Sequence, residues 1–297
     1  MQKNIGLIGF GVMGYQIAMK LIEGKCNLST FDINPEATAR AEELGCEVYN
    51  SPALVAQRTS IILISLPSPK HVAEVVCDEV TGLLTEAVSG SVIIDTSTVD
   101  PTTSQTMANK ASRLEVGYLD APVLGRPKSV GKWTLPVGGN SNDIEKARGV
   151  LSLLAERIVH VGPIGSGNKL KLLNNLMFGA INSITCEVFA LCKNLEIDPK
   201  VFFETVSKST AGTVSNLFKE LGPKIINKDF SADFSINNLN KDIQLGIDMA
   251  KSVGVKLPIS ENNQVYNVLG KNADIGQEDT AALVKIFERL ITSEGSE

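Results

Sequence analysis

The sequence predicts an α/β half followed by an all-α half, and three observations carry that reading. Short apolar runs alternate with helical patterns up to about residue 162. A glycine-rich stretch, Gly162-Pro163-Ile164-Gly165-Ser166-Gly167, then interrupts the chain, and beyond it only helical periodicity follows. Strand–helix alternation needs crossover connections, which produce a mostly parallel sheet covered by helices on both faces. A length of 297 residues fits two domains of about 150 residues each.

Taken in order, Ile5–Ile8 reads as a buried first strand. It does not read as an export leader, because Gly6, Gly9, Gly11 and Gly14 break the apolar stretch and no small-x-small cleavage site follows. A helix is expected over Gly14–Ile22 and a strand over Asn27–Phe31. Asn34-Pro35 supplies an N-cap and a first-position proline for a helix over Glu36–Leu44, which Gly45 ends. Ser51-Pro52 repeats the device. Strand-like runs follow at Ile61–Leu66 and Ser91–Ile94, and Asp100-Pro101 opens a helix over Thr102–Leu114. Trp133–Val137 and Ile158–Val161 read as strands on either side of a helix, Asp143–Glu156, opened by Ser141. One proline-free helix is expected from Asn168 to about Leu195. Helical segments follow at Val201–Lys208, Thr213–Leu221, Lys241–Val253, Ile259–Leu269 and Thr280–Ile291. The domains are therefore 1–163 and 164–297, the second opening with an interdomain helix over 167–195.

Composition excludes several classes of function. Twenty-eight basic against 33 acidic side chains give a net charge of −5, with no polybasic footprint for nucleic acid or anionic lipid. The longest clean aliphatic run, Ile61–Ile64, is far short of the ~18 residues of a spanning helix. Five cysteines, an odd number with no C-x-x-C, read as free thiols of a cytosolic protein. No H-E-x-x-H, Cys/His cluster or G-x-S-x-G is present, so zinc and serine-nucleophile mechanisms lack their usual parts, and no metal is implied.

Gly9-Phe10-Gly11-Val12-Met13-Gly14 has the pattern G-x-G-x-x-G. It directly follows a predicted strand and opens a predicted helix, and Asp32, followed by Ile33, ends the next strand about 20 residues on. In this pattern one glycine makes the turn, a second admits a pyrophosphate and the third lets helix and strand pack closely. The helix N-terminus offers N–H groups and a positive dipole to the phosphates. Asp32 can accept both adenosine ribose hydroxyls and would repel a 2′-phosphate, so the expected cofactor is NAD in preference to NADP. A ligand-free glycine turn is the competing reading.

The chemistry has few candidates. His160 alternates within a strand and reads as structural, whereas His71 follows Pro67-Ser68-Pro69-Lys70 at a strand-to-helix turn that can touch the cofactor or simply face solvent. On the long helix, Lys171, Asn174, Asn175 and Phe178 share one face. A lysine beside two amides suits proton transfer, although a solvated lysine on an amphipathic helix is the default reading.

Read with Gly9–Gly14, the stretches Asp120-Ala121-Pro122-Val123 and Gly165–Asn175 resemble the β-hydroxyacid dehydrogenase family. Leu66-Pro67, Asp95–Pro101 and Lys241-Asp242-Ile243-Gln244-Leu245 are similar to further family signatures, in order over nearly the whole chain. The resemblance implies a Rossmann domain, a long interdomain helix and a helical C-terminal domain, with the active site in the cleft between them. It places Lys171 as the catalytic lysine and Asn175 as its substrate-binding partner, with Asn174 beside them. Leu66, Pro67, Thr98 and Lys241 match cofactor-contacting positions, and Phe234 matches a residue that closes over the substrate. Ser97 and the turn Val123-Leu124-Gly125-Arg126 are expected at the substrate. The implied reaction sends hydride to the nicotinamide while Lys171 takes the hydroxyl proton. Desolvation and the charge of an oxidised nicotinamide both disfavour its ammonium form.

The sequence departs from the family where D-A-P-V-S-G-G is usual. Here Leu124 removes a hydroxyl and Arg126 adds a cation with a bidentate fork. Arg126 either faces solvent or a neighbouring subunit, or it alters specificity toward a more highly charged acid. The latter gives the alternative of a sulfonate- or phosphonate-bearing semialdehyde such as sulfolactaldehyde. His71 stands where relatives often carry asparagine. An imine reductase and a non-catalytic nucleotide-binding module use similar scaffolds, and the Lys171–Asn175 pair argues against both. The expected partners are a small anionic hydroxy acid or semialdehyde and other copies of the chain, as homodimer or homotetramer, with no nucleic acid and no membrane.

Overall fold

The computed structural model describes residues 4–209 and 215–293. It forms two compact units, Met1–Lys171 and Leu172–Glu297. The first contains β1 (Asn4–Ile8), α1 (Val12–Glu23), β2 (Asn27–Phe31), α2 (Pro35–Glu43), β3 (Glu47–Val48), α3 (Pro52–Ala56), β4 (Ile61–Ile64), α4 (Pro69–Cys77), α5 (Leu83–Glu86), β5 (Val92–Asp95), α6 (Pro101–Ser112), β6 (Gly117–Asp120), β7 (Trp133–Gly138), α7 (Ser141–Leu154) and β8 (Ala155–Gly162). The long α8 (Ser166–Asn194) begins in this unit and continues into the next.

The eight strands lie in the order β3-β2-β1-β4-β5-β6-β7-β8. Neighbours are parallel except β6 and β7, which run antiparallel. The connection between those two holds only a single 3₁₀ turn, Pro127–Ser129, too little for the crossover a parallel pair needs. Side-chain alternation divides the core between the faces. Leu63 and Ile94 join Ile17, Leu21 and Trp133 on one side, while Ile62, Ile64 and Ile93 join Val72, Val76 and Leu83 on the other. The strand order reverses between β1 and β4, which leaves a crevice beyond their C-terminal ends, where doubly wound sheets bind ligands.

The second unit holds the rest of α8, α9 (Pro199–Ser207), α10 (Asn216–Ile226), α11 (Ile236–Ser252), α12 (Pro258–Asn272), a 3₁₀ turn (Thr280–Leu283) and α13 (Val284–Ser293). No strand occurs there among the described residues. The predicted start of the helix at Thr213 and Val214 lies outside the described residues. Its core gathers Cys186, Phe189, Phe218, Leu221, Leu283 and Phe287. α11 begins earlier than its periodicity predicts because Ser235 caps it, the hydroxyl accepting from Asn238 N–H at 3.3 Å. α8 also corrects the expectation that no segment reaches membrane-spanning length. It is long and apolar enough to do so, yet half of its apolar window is buried inside the protein, as in a core helix.

Candidate functional site

The glycine turn after β1 divides its work among three positions. Gly9 has φ +91°, where a side chain is strained, and a Cβ on Gly14 would collide with the Gly9 carbonyl oxygen. A Cβ on Gly11 would meet nothing within 4 Å. Gly9 and Gly14 thus make the turn and the close strand–helix packing, and Gly11 leaves open space at the N-terminus of α1 for a phosphate to approach. Asp32 faces this turn from the end of β2. One carboxylate oxygen accepts from Phe10 N–H (2.6 Å) and the other from Asn34 N–H (2.8 Å). The Phe10 side chain is in the core, so this residue can meet a ligand only through its backbone, whereas Val12 and Ile33 are exposed and Met13 is partly buried. These residues fit a dinucleotide: an open cradle with free space at Gly11, a helix N-terminus, and a carboxylate at the ribose position.

Two buried aspartates, register partners on β5 and β6, brace the sheet ends. Asp95 accepts from Ser97 N–H (2.8 Å) and from the Tyr118 hydroxyl (2.9 Å), and Ser97 Oγ in turn accepts from Leu66 N–H (2.9 Å). Ser97 is buried, and its hydroxyl joins the β4 and β5 loops. Thr98 is half-buried beside it. His71 Nδ1 lies 2.7 Å from Ser68 Oγ at the start of α4. His160 Nε2 is 3.0 Å from the Gly139 and Gly162 carbonyls, a structural role as expected.

Burial lifts the Asp95 carboxyl from 3.8 to about 6, opposed by its hydrogen bonds from Ser97 and Tyr118 and aided by the charge of Asp120. The folded value lies above the unfolded one. Between about pH 4 and pH 6 the folded state therefore holds extra proton, and this group's contribution to stability falls as pH rises through that window. Asp95→Asn removes the titration. The stability of the variant relative to the parent should climb from about pH 4 to pH 6 and level off above, as read from urea midpoints. A relative stability that stays flat across the window would contradict this account.

Asp120 accepts from Gly165 N–H (2.7 Å) and Asn168 N–H (2.8 Å) at the start of α8. Asn168 then receives Val99 N–H at 3.2 Å and donates to Ser104 Oγ at 3.2 Å. The helix carrying Lys171 is thereby anchored to the ends of β5 and β6. Lys171 is half-buried, and its Nζ donates to the Val123 carbonyl at 2.8 Å. Val123 is buried, Leu124 and Arg126 are half-buried, and Gly125 is exposed.

In the second unit, Asn175 lies one helical turn after Lys171 on α8 and is 2% exposed. Its Nδ2 donates to Asp242 Oδ2 at 2.6 Å, and its Oδ1 accepts from the exposed Asn174 at 3.1 Å. A carboxylate can only accept, so Asp242 fixes which end of the amide faces it. Lys241 Nζ is 2.8 Å from the other Asp242 oxygen. α11 comes this close to α8 because Gly246 packs on Leu176 and Gly179 on Ile243. Phe234 stacks edge-on against Phe178 of α8, centroids 5.6 Å apart, and its N–H points to buried Asp279 at 3.3 Å. Sequence reasoning missed Asp95, Asp120 and Asp242. The signal available was an acidic residue ending a strand or beginning a signature.

A doubly wound sheet with this glycine turn at its switch point, followed by a lysine and amide on one helix face, defines a class: nicotinamide-dinucleotide oxidoreductases with a helical second domain. The comparisons narrow it. Residues 4–162 match the family model described as the NAD binding domain of 6-phosphogluconate dehydrogenase. Residues 165–287 match the model described as the NAD-binding domain of NADP-dependent 3-hydroxyisobutyrate dehydrogenase. A probable mitochondrial 3-hydroxyisobutyrate dehydrogenase of Dictyostelium discoideum is 32% identical over 97% of this chain and 91% of its own. The 2-(hydroxymethyl)glutarate dehydrogenase of Eubacterium barkeri is 30% identical over 97% of this chain and 95% of its own. Among solved structures, a Mycobacterium tuberculosis 3-hydroxyisobutyrate dehydrogenase with L-serine superposes with a TM-score of 0.85 at 25% identity, covering 96% of this chain and 99% of that one. The chain belongs to the β-hydroxyacid dehydrogenase family and is an NAD(P)-dependent hydroxyacid dehydrogenase.

Proposed function

We propose that the protein interconverts a small β-hydroxy acid and its semialdehyde with NAD, using Lys171 as general acid and base. The observation that carries the reading is the Lys171 Nζ held 2.8 Å from the Val123 carbonyl, one helical turn before the buried amide of Asn175. When bound, the nicotinamide supplies the hydride acceptor. Lys171 takes the hydroxyl proton during oxidation and returns it during reduction. Asn175, oriented by Asp242, holds the reacting oxygen or the carboxylate, and the Val123–Arg126 turn receives the carboxylate. Leu66, Pro67, Thr98, His71 and Lys241 belong to cofactor binding, and Phe234 to closure over the substrate. The carboxylate at Asp32 supports NAD over NADP, because a 2′-phosphate beside it is repelled.

The relatives are named for carboxylic acids, among them a hydroxymethylglutarate and a threonate, which supports a carboxylate substrate rather than a sulfonate or phosphonate. Assembly as a homodimer or homotetramer is supported by an exposed apolar stripe along α8, Leu173, Met177, Ile184 and Leu191, at close to heptad spacing. Five thiols, none in a disulfide, suit a reducing cytoplasm.

The test is steady-state reduction of NAD and of NADP over 3-hydroxyisobutyrate, 2-(hydroxymethyl)glutarate and threonate, with the mass of the active species read by sedimentation. The expected outcome is turnover of one acid, favouring NAD by at least about tenfold in kcat/KM, which corresponds to roughly 1.4 kcal/mol, by a species larger than one chain. Intact nucleotide binding without turnover of any acid would overturn the reaction.

A further inference from the structure

Trp133 is the sole tryptophan of the chain, and its side chain is 1% exposed at the start of β7. Its indole N–H donates to the Arg126 carbonyl at 2.8 Å. Ser129 closes on the same residue from the other side. Its hydroxyl donates to the Arg126 carbonyl at 2.9 Å and accepts from Arg126 N–H at 3.1 Å, and its own N–H donates to that carbonyl at 3.0 Å. A Cβ on Gly125 would run into Trp133 Cδ1, so the indole lies directly against the turn. Leu124 exchanges two backbone hydrogen bonds with Thr134, at 3.0 and 3.2 Å.

In extended chain the N–H and C=O of one residue point to the same side and those of its neighbours to the other. Both polar groups of Leu124 are spent on β7. Those of Val123 and the N–H of Gly125 therefore face away from β7, and the Val123 carbonyl already holds Lys171 there. Among the described residues, neither the Val123 N–H nor the Gly125 N–H donates to the protein. Two unspent donors thus share the side of the turn that meets the lysine.

We infer that Trp133 and Ser129 are positioning residues for substrate: they clamp Arg126 so that the N–H groups of Val123 and Gly125 are held ready for the carboxylate of the hydroxy acid. This rests on the reading of the chain as a hydroxy-acid dehydrogenase. It assigns the clamp to two residues that would not themselves touch substrate, and it makes the indole a direct reporter of the turn.

The experiment uses the full-length enzyme with the three acids named above as probes. Tryptophan emission should change saturably with the acid that is turned over, with a midpoint near its KM. Ser129→Ala and Trp133→Phe should each raise that KM by about fivefold, one hydrogen bond's worth, while kcat stays within about twofold and nucleotide affinity is unchanged. A purely structural role would instead lower kcat or the unfolding midpoint and leave KM alone. Unchanged KM in Ser129→Ala, which keeps the core intact, overturns the clamp even if the parent enzyme is active. Emission that stays flat at every acid overturns it too. Saturable emission without turnover keeps the clamp and removes the reaction.

Discussion

Lys171→Ala should lower kcat by about 10²- to 10⁴-fold, the usual worth of a positioned general acid or base, while nucleotide affinity stays within about twofold. The separation is expected because the Lys171 Nζ donates to the Val123 carbonyl, in the turn proposed to receive the substrate carboxylate. Truncation leaves that carbonyl without its donor, and Lys171 is only half-buried, so water can replace the amine and stability should change little. Lys171→Arg is the informative companion. It keeps a cation near Val123 but cannot surrender its proton at any working pH, so oxidation should be as poor as in the alanine variant. Steady-state rates with the best acid, beside nucleotide titrations of the same preparations, check both. Parent-like turnover in Lys171→Ala would remove the lysine from the mechanism. Loss of nucleotide binding would show that the substitution acts through the fold.

Much of this site was legible in the sequence because its parts have local signatures. The glycine turn, Asp32 and the Lys171–Asn175 spacing each depend on residues close together in the chain. What escaped was held by long-range contacts or by turns without turn residues. β6 is preceded by Glu115 at φ +57°, a left-handed position where the sequence offers no glycine, so no punctuation marks the strand. β3 is two residues long, too short for any period to show. The antiparallel setting of β7 follows from the helix-poor connection after Asp120, which strand–helix alternation does not reveal. Asp95 and Asp120 stand in the sequence only as the first residues of family-like stretches, and Trp133 as one more apolar residue of a strand. Their roles depend on partners such as Leu66, by way of Ser97, and Asn168, which lie far away in sequence.

Asp120 carries the largest structural expectation. It is fully buried at the end of β6, and its two oxygens take the N–H groups of Gly165 and Asn168 at the first turn of α8. A helix N-terminus has N–H groups without intrahelical partners and a positive dipole, so a carboxylate there satisfies both. Burial nevertheless raises its carboxyl above the usual 3.8, against those same backbone hydrogen bonds. Desolvation therefore outweighs the donors in setting its protonation, and the side chain is retained for the geometry it imposes. Asp120→Ala orphans two buried donors at once. The expected cost is roughly 2–4 kcal/mol, or a fall in unfolding midpoint of roughly 3–6 °C for a chain of this size. Lys171 stands in the second turn of the same helix, where a shift of about 1 Å is worth about 10²-fold in rate, so kcat should fall with the midpoint. Asp120→Asn keeps one acceptor and turns an amide N–H toward the other donor, which should give an intermediate loss in both. Thermal scans and turnover on the two variants decide it. A parent-like midpoint in Asp120→Ala would mean that the start of α8 is held by Asn168, through Val99 and Ser104, without the carboxylate.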